Sequence, residues 1–129
     1  MKTSLKLLLI LFIFFGGKYA AAQDTRQADL LFSEKKYKEA AAGYEKALPL
    51  IKQQYGEKDT AVYGNTLLKT AISFDKAFNF SEAEPYYLKC KTVYQKPDSP
   101  QNLKYAEIAT VWADCTTRQA NTKIRTALS

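Results

Sequence analysis

Residues 36–47 read KYKEAAAGYEKA, and residues 79–90 read NFSEAEPYYLKC. Both stretches have an aromatic residue, any residue, Glu, Ala, three residues, Tyr, two residues and then a small residue. The second is the first displaced by 43 residues. A self-match at this spacing indicates a repeat architecture, in which each unit buries its apolar face against its neighbours. Such arrays mostly bind other molecules, so the pattern favours a binding function over catalysis.

The first 22 residues have the features of a Sec signal peptide. Lys2 and Lys6 make a basic start, residues 7–15 are all apolar, and residues 20–22 are three alanines of the A-x-A type that precede cleavage. The alternative is a membrane-spanning anchor, but the apolar run is far shorter than the roughly 20 residues that a spanning helix needs. We therefore expect cleavage before Gln23, no stable membrane insertion afterwards, and a periplasmic or extracellular protein.

The net charge gives little support to a nucleic-acid partner. The whole chain carries +6, but three of its lysines belong to the signal segment, and residues 23–129 carry only +3. Lysines and glutamates also alternate in this part of the chain, so no basic stripe forms. We expect no binding to nucleic acid.

Two cysteines, Cys90 and Cys115, belong to a chain destined for an oxidising compartment. If the helices on either side of residues 96–100 are antiparallel, Cys90 faces about residues 106–108. Cys115 is then roughly 10 Å further along its helix, which is too far for a disulfide. Two buried free thiols are the favoured interpretation, and a disulfide is the alternative.

The mature chain is predicted to be all-α, because apolar residues recur at i, i+3, i+4 and i+7 and nowhere alternate. Gly56 is expected to end a helix, and Asp59 or Thr60 to cap the next one. Residues 81–84 fit a capping box that would place Pro85 in the first helical turn. Ser99 and Pro100 are expected to start a further helix, and a last one would begin near Thr122.

This pattern resembles the tetratricopeptide repeat, in its long variant of about 42 residues that is found in kinesin light chains. The residues that carry the resemblance are the small and large positions where paired helices cross, namely Ala28, Leu31, Ala40, Tyr44 and Ala47 in one unit, Leu67, Ala71, Phe74, Ala83, Tyr87 and Cys90 in the next, and Ala109, Trp112 and Ala113 in a third. The turn residues Lys35 and Phe78 depart from the family, which usually has a small residue there.

The resemblance implies a helical-hairpin α-solenoid of about two and a half repeats after the signal peptide. Its repeat domain is residues 23–129, with units at about 24–56, 60–97 and 100–129, the last incomplete. The family lines its binding groove with the first helix of each pair. The matching positions here are Asn65, Leu68, Ile72, Asp75, Lys76, Glu107, Asp114 and Arg118, with Asp29, Phe32, Ser33 and Thr110 beside them.

Those groove positions are open to two interpretations. An exposed Leu68–Ile72 pair flanked by charges would suit an extended or helical peptide. The alternative is an ordinary solvated helix face. The aromatic residues Tyr37, Tyr44, Phe74, Phe80, Tyr87 and Trp112 are expected to be core, whereas Tyr63, Tyr86, Tyr94 and Tyr105 are less constrained.

Catalysis is not expected. The chain has no histidine, which removes the commonest general base and metal ligand. It has no glycine-rich phosphate loop, and Glu82 and Glu84 are better explained as helix-start residues. We assign no catalytic, cofactor-binding or metal-binding residue.

The predicted function is therefore an exported protein–protein interaction module or scaffold for a protein or peptide partner. One alternative is the truncated amino-terminal part of a larger repeat protein, for example one that continues into a caspase-like peptidase domain. Another is an envelope assembly factor. The open third unit also predicts either self-association through the C-terminal end or a frayed segment after about residue 100.

Overall fold

Helices make up almost all of this protein. The computed structural model describes the backbone of residues 2–95 and 102–129, but not the side chains of residues 2, 5, 8, 9, 11–22, 102 and 103. The described ranges contain five helices, α1 (Lys2–Ser33), α2 (Tyr37–Tyr55), α3 (Asn65–Lys76), α4 (Phe80–Tyr94) and α5 (Asn102–Leu128). A π-helical turn at Thr60–Gly64 leads directly into α3. No β-strand occurs in the described ranges. The prediction of an all-α fold is confirmed.

The same chain reversal joins α1 to α2 and α3 to α4. Lys35 and Phe78 are the two described residues other than glycine with positive φ, and both have φ of 61°. At the first turn, the amides of Lys36 and Lys35 donate to the carbonyls of Leu31 and Phe32 at 2.9 and 3.0 Å. The amides of Asn79 and Phe78 donate to Phe74 and Asp75 at the same two distances. This is the Schellman arrangement, which satisfies the last carbonyls of a helix.

The ends of α2 and the start of α3 follow the predicted signals. Gly56 ends α2 with φ of 89°, a conformation that glycine adopts without steric cost. The carboxylate of Asp59 then accepts a hydrogen bond from the amide of Val62 at 2.7 Å. Asp59 therefore caps the turn that leads into α3, as predicted.

The predicted capping box at residues 81–84 is wrong. Helix α4 already begins at Phe80, and Asn79 precedes it without any side-chain cap. The left-handed residue Phe78 sets this start, because the turn closes there and the amide of Ala83 bonds to the carbonyl of Asn79. Pro85 consequently lies inside the helix rather than in its first turn, where it removes the hydrogen bond to residue 81.

Each helix packs against the helix that follows it in the chain. Alanines occupy the closest crossings and are fully buried. Between α1 and α2, a Cβ added to Gly43 would lie 2.9 Å from the Cβ of Ala28, so only glycine allows this approach. The core contains the predicted positions Ala28, Ala40, Tyr44, Ala47, Leu67, Ala71, Phe74, Phe80, Ala83, Tyr87 and Cys90.

Four aromatic residues differ in burial from the prediction. Tyr63 and Tyr94 are buried rather than loosely constrained. The hydroxyl of Tyr94 donates to the carbonyl of Thr60 at 2.8 Å, and its ring covers Gly64. Tyr37 and Trp112, which were expected in the core, are only half-buried. Both rings instead lie beneath lysine ammonium groups, those of Lys76 and Lys91, at 5.6 and 4.6 Å from the ring centroids.

The predicted third unit contains one helix and not a helical pair. Helix α5 runs without interruption from Asn102 to Leu128, so the second helix predicted to start near Thr122 does not form. No Gly or Pro occurs after residue 100. Asn121 and Thr122 alone do not end a helix that is already formed before them. The predicted start at Ser99 and Pro100 lies outside the described residues.

One face of α5 is covered and the opposite face is exposed. Ile108 and Cys115 are buried against α4. The opposite face carries a stripe of small and apolar exposed residues at alternating spacings of four and three, which are Ala106, Thr110, Ala113, Thr117, Ala120, Ile124 and Ala127. This spacing is that of a coiled-coil seam. We call these residues the α5 stripe.

Helix α1 extends through the predicted cleavage site. Its backbone is helical from Lys2 to Ser33, including the position of Gln23. Among the residues that the structure describes, no helix has both the length and the apolar character needed to cross a membrane.

The left-handed turns lead to a first prediction. Lys35→Gly should raise the free energy of unfolding by about 0.5 to 1 kcal/mol, because the strain of a left-handed residue exceeds the entropy cost of glycine. Phe78→Gly should gain less, since it loses the edge contact with Phe80 at 6.2 Å between ring centroids. Urea unfolding midpoints measure both. Gly56→Ala is the control and should destabilise the fold; a destabilised Lys35→Gly would contradict the turn geometry.

Candidate partner-binding groove

The eight groove positions lie on α3 and α5, but only four of their side chains are exposed. These are Asn65, Lys76, Glu107 and Asp114. Leu68 belongs to the main core with 7% of its surface exposed, and Ile72 is half-buried. The condition of an exposed Leu68–Ile72 pair is therefore not met. Asp75 is also buried at 4%, and Arg118 is half-buried.

Three of those positions bind one another. The guanidinium of Arg118 on α5 donates to the carboxylate of Asp75 on α3 at 2.9 Å and contacts that of Asp114 at 2.8 Å. The hydroxyl of Tyr87 donates to the same oxygen of Asp75 at 3.3 Å. Because a buried carboxylate needs a partner, this contact fixes α5 against α3. It also withdraws Asp75 and much of Arg118 from any external ligand.

Two atoms of this contact have unused hydrogen-bonding capacity. Within the described ranges, Oδ1 of Asp75 and Nε of Arg118 are buried and have no hydrogen-bond partner. Nε1 of Trp112, on the same helix as Arg118, is in the same situation. This part of the α3–α5 contact is therefore polar and incompletely satisfied.

A cleft of about 300 Å³ opens where α1, α2 and the start of α3 meet. Asn65 is the one of the eight groove positions that lines it, and Asp29 from the neighbouring set also does. Its other walls are Thr25, Tyr44, Ile51, Gln54, Tyr55, Ala61, Val62, Thr66 and Lys69. Lys69 is not one of the predicted groove residues, although it lies one helical turn after Asn65 and hence on the same face.

Asp29 is the centre of the polar groups in this cleft. Its Oδ1 accepts a hydrogen bond from the hydroxyl of Tyr44 at 2.5 Å and another from the ammonium of Lys69 at 2.7 Å. The same ammonium lies 5.7 Å from the centroid of the Tyr44 ring. Three helices thus contribute one side chain each to a single cluster, and Lys69 retains protons directed to solvent.

The cluster shifts the pKa of both acidic groups. Burial acts to raise the pKa of Asp29, but the hydrogen bonds from Lys69 and Tyr44 outweigh it and lower the pKa below its ordinary value. For Tyr44, burial and the hydrogen bond to the Asp29 carboxylate both raise the pKa. At neutral pH the cluster therefore consists of a carboxylate, an ammonium and a neutral phenol.

The cysteines are positioned for packing. Both are buried and free. Burial raises the pKa of Cys90 to about 12 and is also the main cause that raises the pKa of Cys115 to about 11. Thiols with such values are neutral and unreactive at physiological pH. In the described part of the chain, no three His, Cys, Asp or Glu side chains form a group that could hold a metal ion.

The Asp29 cluster leads to a second prediction. Because the folded-state pKa of Asp29 is lowered, its contribution to stability is fully present above the ordinary value of 3.8 and disappears as pH falls through the folded-state value. Asp29→Asn should therefore have a lower melting temperature than the unchanged protein at pH 7, and the difference should shrink below about pH 4. Thermal unfolding followed by circular dichroism across this range measures it.

Glu39→Gln is the matched control, because Glu39 is exposed on α2 and also loses one negative charge. Its melting temperature should differ little from that of the unchanged protein. A difference for Asp29→Asn that is the same at pH 7 and at about pH 3 would exclude a charged Asp29 as the stabilising group.

Comparisons with known proteins identified no relative: no family model, no curated protein and no solved structure matches this chain.

Proposed function

We propose that this protein is a helical-repeat module of the tetratricopeptide type that binds a protein or peptide segment in the cleft between α1, α2 and α3. Repetition within the chain supports the repeat type. The two Schellman turns are 43 residues apart and have the same φ and the same hydrogen bonds. The same type of turn therefore joins the two helices of each pair, at the spacing of the sequence repeat.

Contacts between successive units have a similar spacing. Lys69 bonds to Asp29 across 40 residues, and Arg118 to Asp75 across 43. Between α4 and α2, the hydroxyl of Tyr86 donates to the carboxylate of Glu45 across 41 residues. Bridges between like helices of successive pairs fit an array in which each unit contacts its neighbours.

The cleft is the observation that carries the binding proposal. Its volume of about 300 Å³ is at the lower end of ligand sites and suits one or two side chains of a peptide. Exposed polar groups surround it, from Gln54 and Asn65 to the ammonium of Lys69, while Ile51 and Val62 supply apolar wall. An anchor side chain in an apolar recess with a polar rim is the usual arrangement of a peptide site.

The polypeptide acts without catalysis of its own under this proposal. The acidic groups of the cleft and of the α3–α5 interface, Asp29 and Asp75, are engaged in ion pairs within the protein. The buried thiols are neutral. The side chains that face solvent at the cleft are therefore donors and acceptors for recognition.

Selection of peptides tests the binding proposal. Peptides enriched from a displayed random library on the immobilised protein should bind with affinities in the micromolar range, typical of a small pocket. Ala61→Phe, which places a ring at a position that lines the cleft, and Lys69→Met, which removes an ammonium donor, should each weaken binding by about tenfold, which corresponds to roughly 1.4 kcal/mol.

Two matched controls distinguish the cleft from the rest of the surface. Ala42→Phe and Lys38→Met make the same changes at exposed positions of α2 that do not line the cleft. Both should leave binding unchanged. Failure to enrich any peptide, or equal binding by the cleft and control variants, would reject the proposal.

We also propose that the chain is exported and processed before Gln23. The supporting observation is the basic start, the short apolar run and the three alanines of residues 1–22. Expression of the whole reading frame in a bacterium should yield a soluble product in the periplasm or medium whose intact mass begins at Gln23. A product that keeps Met1 and stays in the membrane fraction would contradict export.

A further inference from the structure

Within the α5 stripe, alanine occurs at every seventh residue, at Ala106, Ala113, Ala120 and Ala127. A threonine or an isoleucine lies four residues after each of the first three alanines, and all seven side chains are exposed. A strict seven-residue repeat keeps one face of a helix against one partner helix along its whole length. The pattern therefore indicates a seam between two helices.

Alanines also form the closest contacts between the paired helices of this chain. Ala28 and Ala40 in the first pair, and Ala71 and Ala83 in the second, have none of their surface exposed. The distance between two packed helices depends on the side chains at the contact, and alanine allows a short one. The outer face of α5 has alanines of the same kind, but in the described part of the chain no helix covers them.

The last segment of α5 provides a second, independent observation. Every side chain from Ala120 onward is exposed, and the two large apolar ones, Ile124 and Leu128, are 58% and 83% exposed. More than two turns of helix thus have no buried face. Because most helical stability in proteins comes from packing of an apolar face, this segment is suited to a helix that covers it.

The charges of α5 complement those of a second copy in the antiparallel orientation. Residues 102–115 carry two acidic side chains, Glu107 and Asp114, and one basic side chain, whereas residues 116–129 carry three basic side chains and no acidic one. Two parallel copies would bring their basic halves together. In antiparallel copies, the basic half of each helix lies along the acidic half of the other, and the helix dipoles also oppose.

The seven-residue repeat also sets the register of such a pair. When Thr117 of one copy lies opposite Ala120 of the second copy, every layer of the seam pairs an alanine with a threonine or an isoleucine. The exposed end of each helix then lies on the half of the other helix that is held by the fold. Ile108 and Cys115 face α4 on the opposite side of α5, so the remaining helices of the two copies stay apart.

We propose that two copies of this protein associate through their α5 stripes as an antiparallel helix pair, with a two-fold axis near residues 117–120. The seam is about 32 Å long. A single helix pair of this length is a small interface, so we expect a dissociation constant in the micromolar range. The dimer does not rest on the peptide-binding proposal, because no stripe residue lines the cleft between α1, α2 and α3.

Sedimentation equilibrium tests the association on protein purified after expression of the full chain. Between about 1 μM and 1 mM the data should fit a monomer–dimer equilibrium. Ala120→Lys brings two ammonium groups together near the two-fold axis and should weaken the dimer at least tenfold. Ala42→Lys adds the same charge at an exposed alanine of α2 and should change the dissociation constant less than twofold.

Circular dichroism of dilute samples separates loss of the dimer from loss of the fold. Ala120 and Ala42 are both exposed, and lysine is a good helix former. Both variants should therefore keep the helical signal and the melting temperature of the unchanged monomer.

Cysteine cross-linking tests the orientation. In the proposed register residue 113 of one copy lies opposite residue 124 of the other, so an equimolar mixture of Ala113→Cys and Ile124→Cys should form a disulfide-linked heterodimer under mild oxidation. Neither variant alone should cross-link. The native thiols do not interfere, because both are buried and neutral.

Three results would overturn the proposal. A protein that is wholly monomeric at about 1 mM would leave the stripe to a different protein. A dimer that Ala120→Lys does not weaken, or that Ala42→Lys weakens equally, would place the contact elsewhere on the surface. Cross-linking of each cysteine variant with itself, and not in the mixture, would indicate a parallel pair.

Discussion

The backbone at Lys35 and Phe78 takes a left-handed conformation, and the packing of the first four helices depends on it. Each turn uses a single residue with φ of 61° to reverse the chain and to satisfy the carbonyls at the end of the preceding helix. A reversal this short holds the paired helices close together, which is why their crossings contain Ala28, Gly43, Ala71 and Ala83. The strain at two residues is thus offset by the burial of whole helix faces.

The sequence predicted the helices and most of the core because both follow from periodicity. Small residues at the spacing of helix crossings identified Ala40 and Ala83, and Gly56 identified the end of α2. Periodicity did not locate the start of α4. Residues 81–84 suggested a capping box, but the left-handed turn at Phe78 makes the helix begin at Phe80. The residue type of Phe78 does not indicate that conformation. The same limit applies to α5. A new helix was predicted to start near Thr122, but α5 continues through this position without a break.

The candidate site was harder to predict than the fold. The predicted groove residues were chosen by their positions along the helices. Two of those on α3, Leu68 and Asp75, are buried in this molecule. Asp75 is covered because Arg118 of α5 reaches it, a contact between residues 43 apart that no local pattern contains. Lys69 was missed for a related reason, because its partner Asp29 lies on α1, 40 residues earlier in the chain. Long-range ion pairs thus decide which polar residues remain available for a ligand.

The covered and exposed halves of α5 differ in what keeps them helical. Up to about Arg118 the helix is held by tertiary contacts, whereas every side chain from Ala120 onward is exposed. This last segment is nucleated by the packed half, so it avoids the unfavourable first turn of an isolated helix and depends on propagation alone. A helix that docks on the α5 stripe would therefore meet a surface whose backbone entropy is already largely lost, and the cost of ordering it would be small.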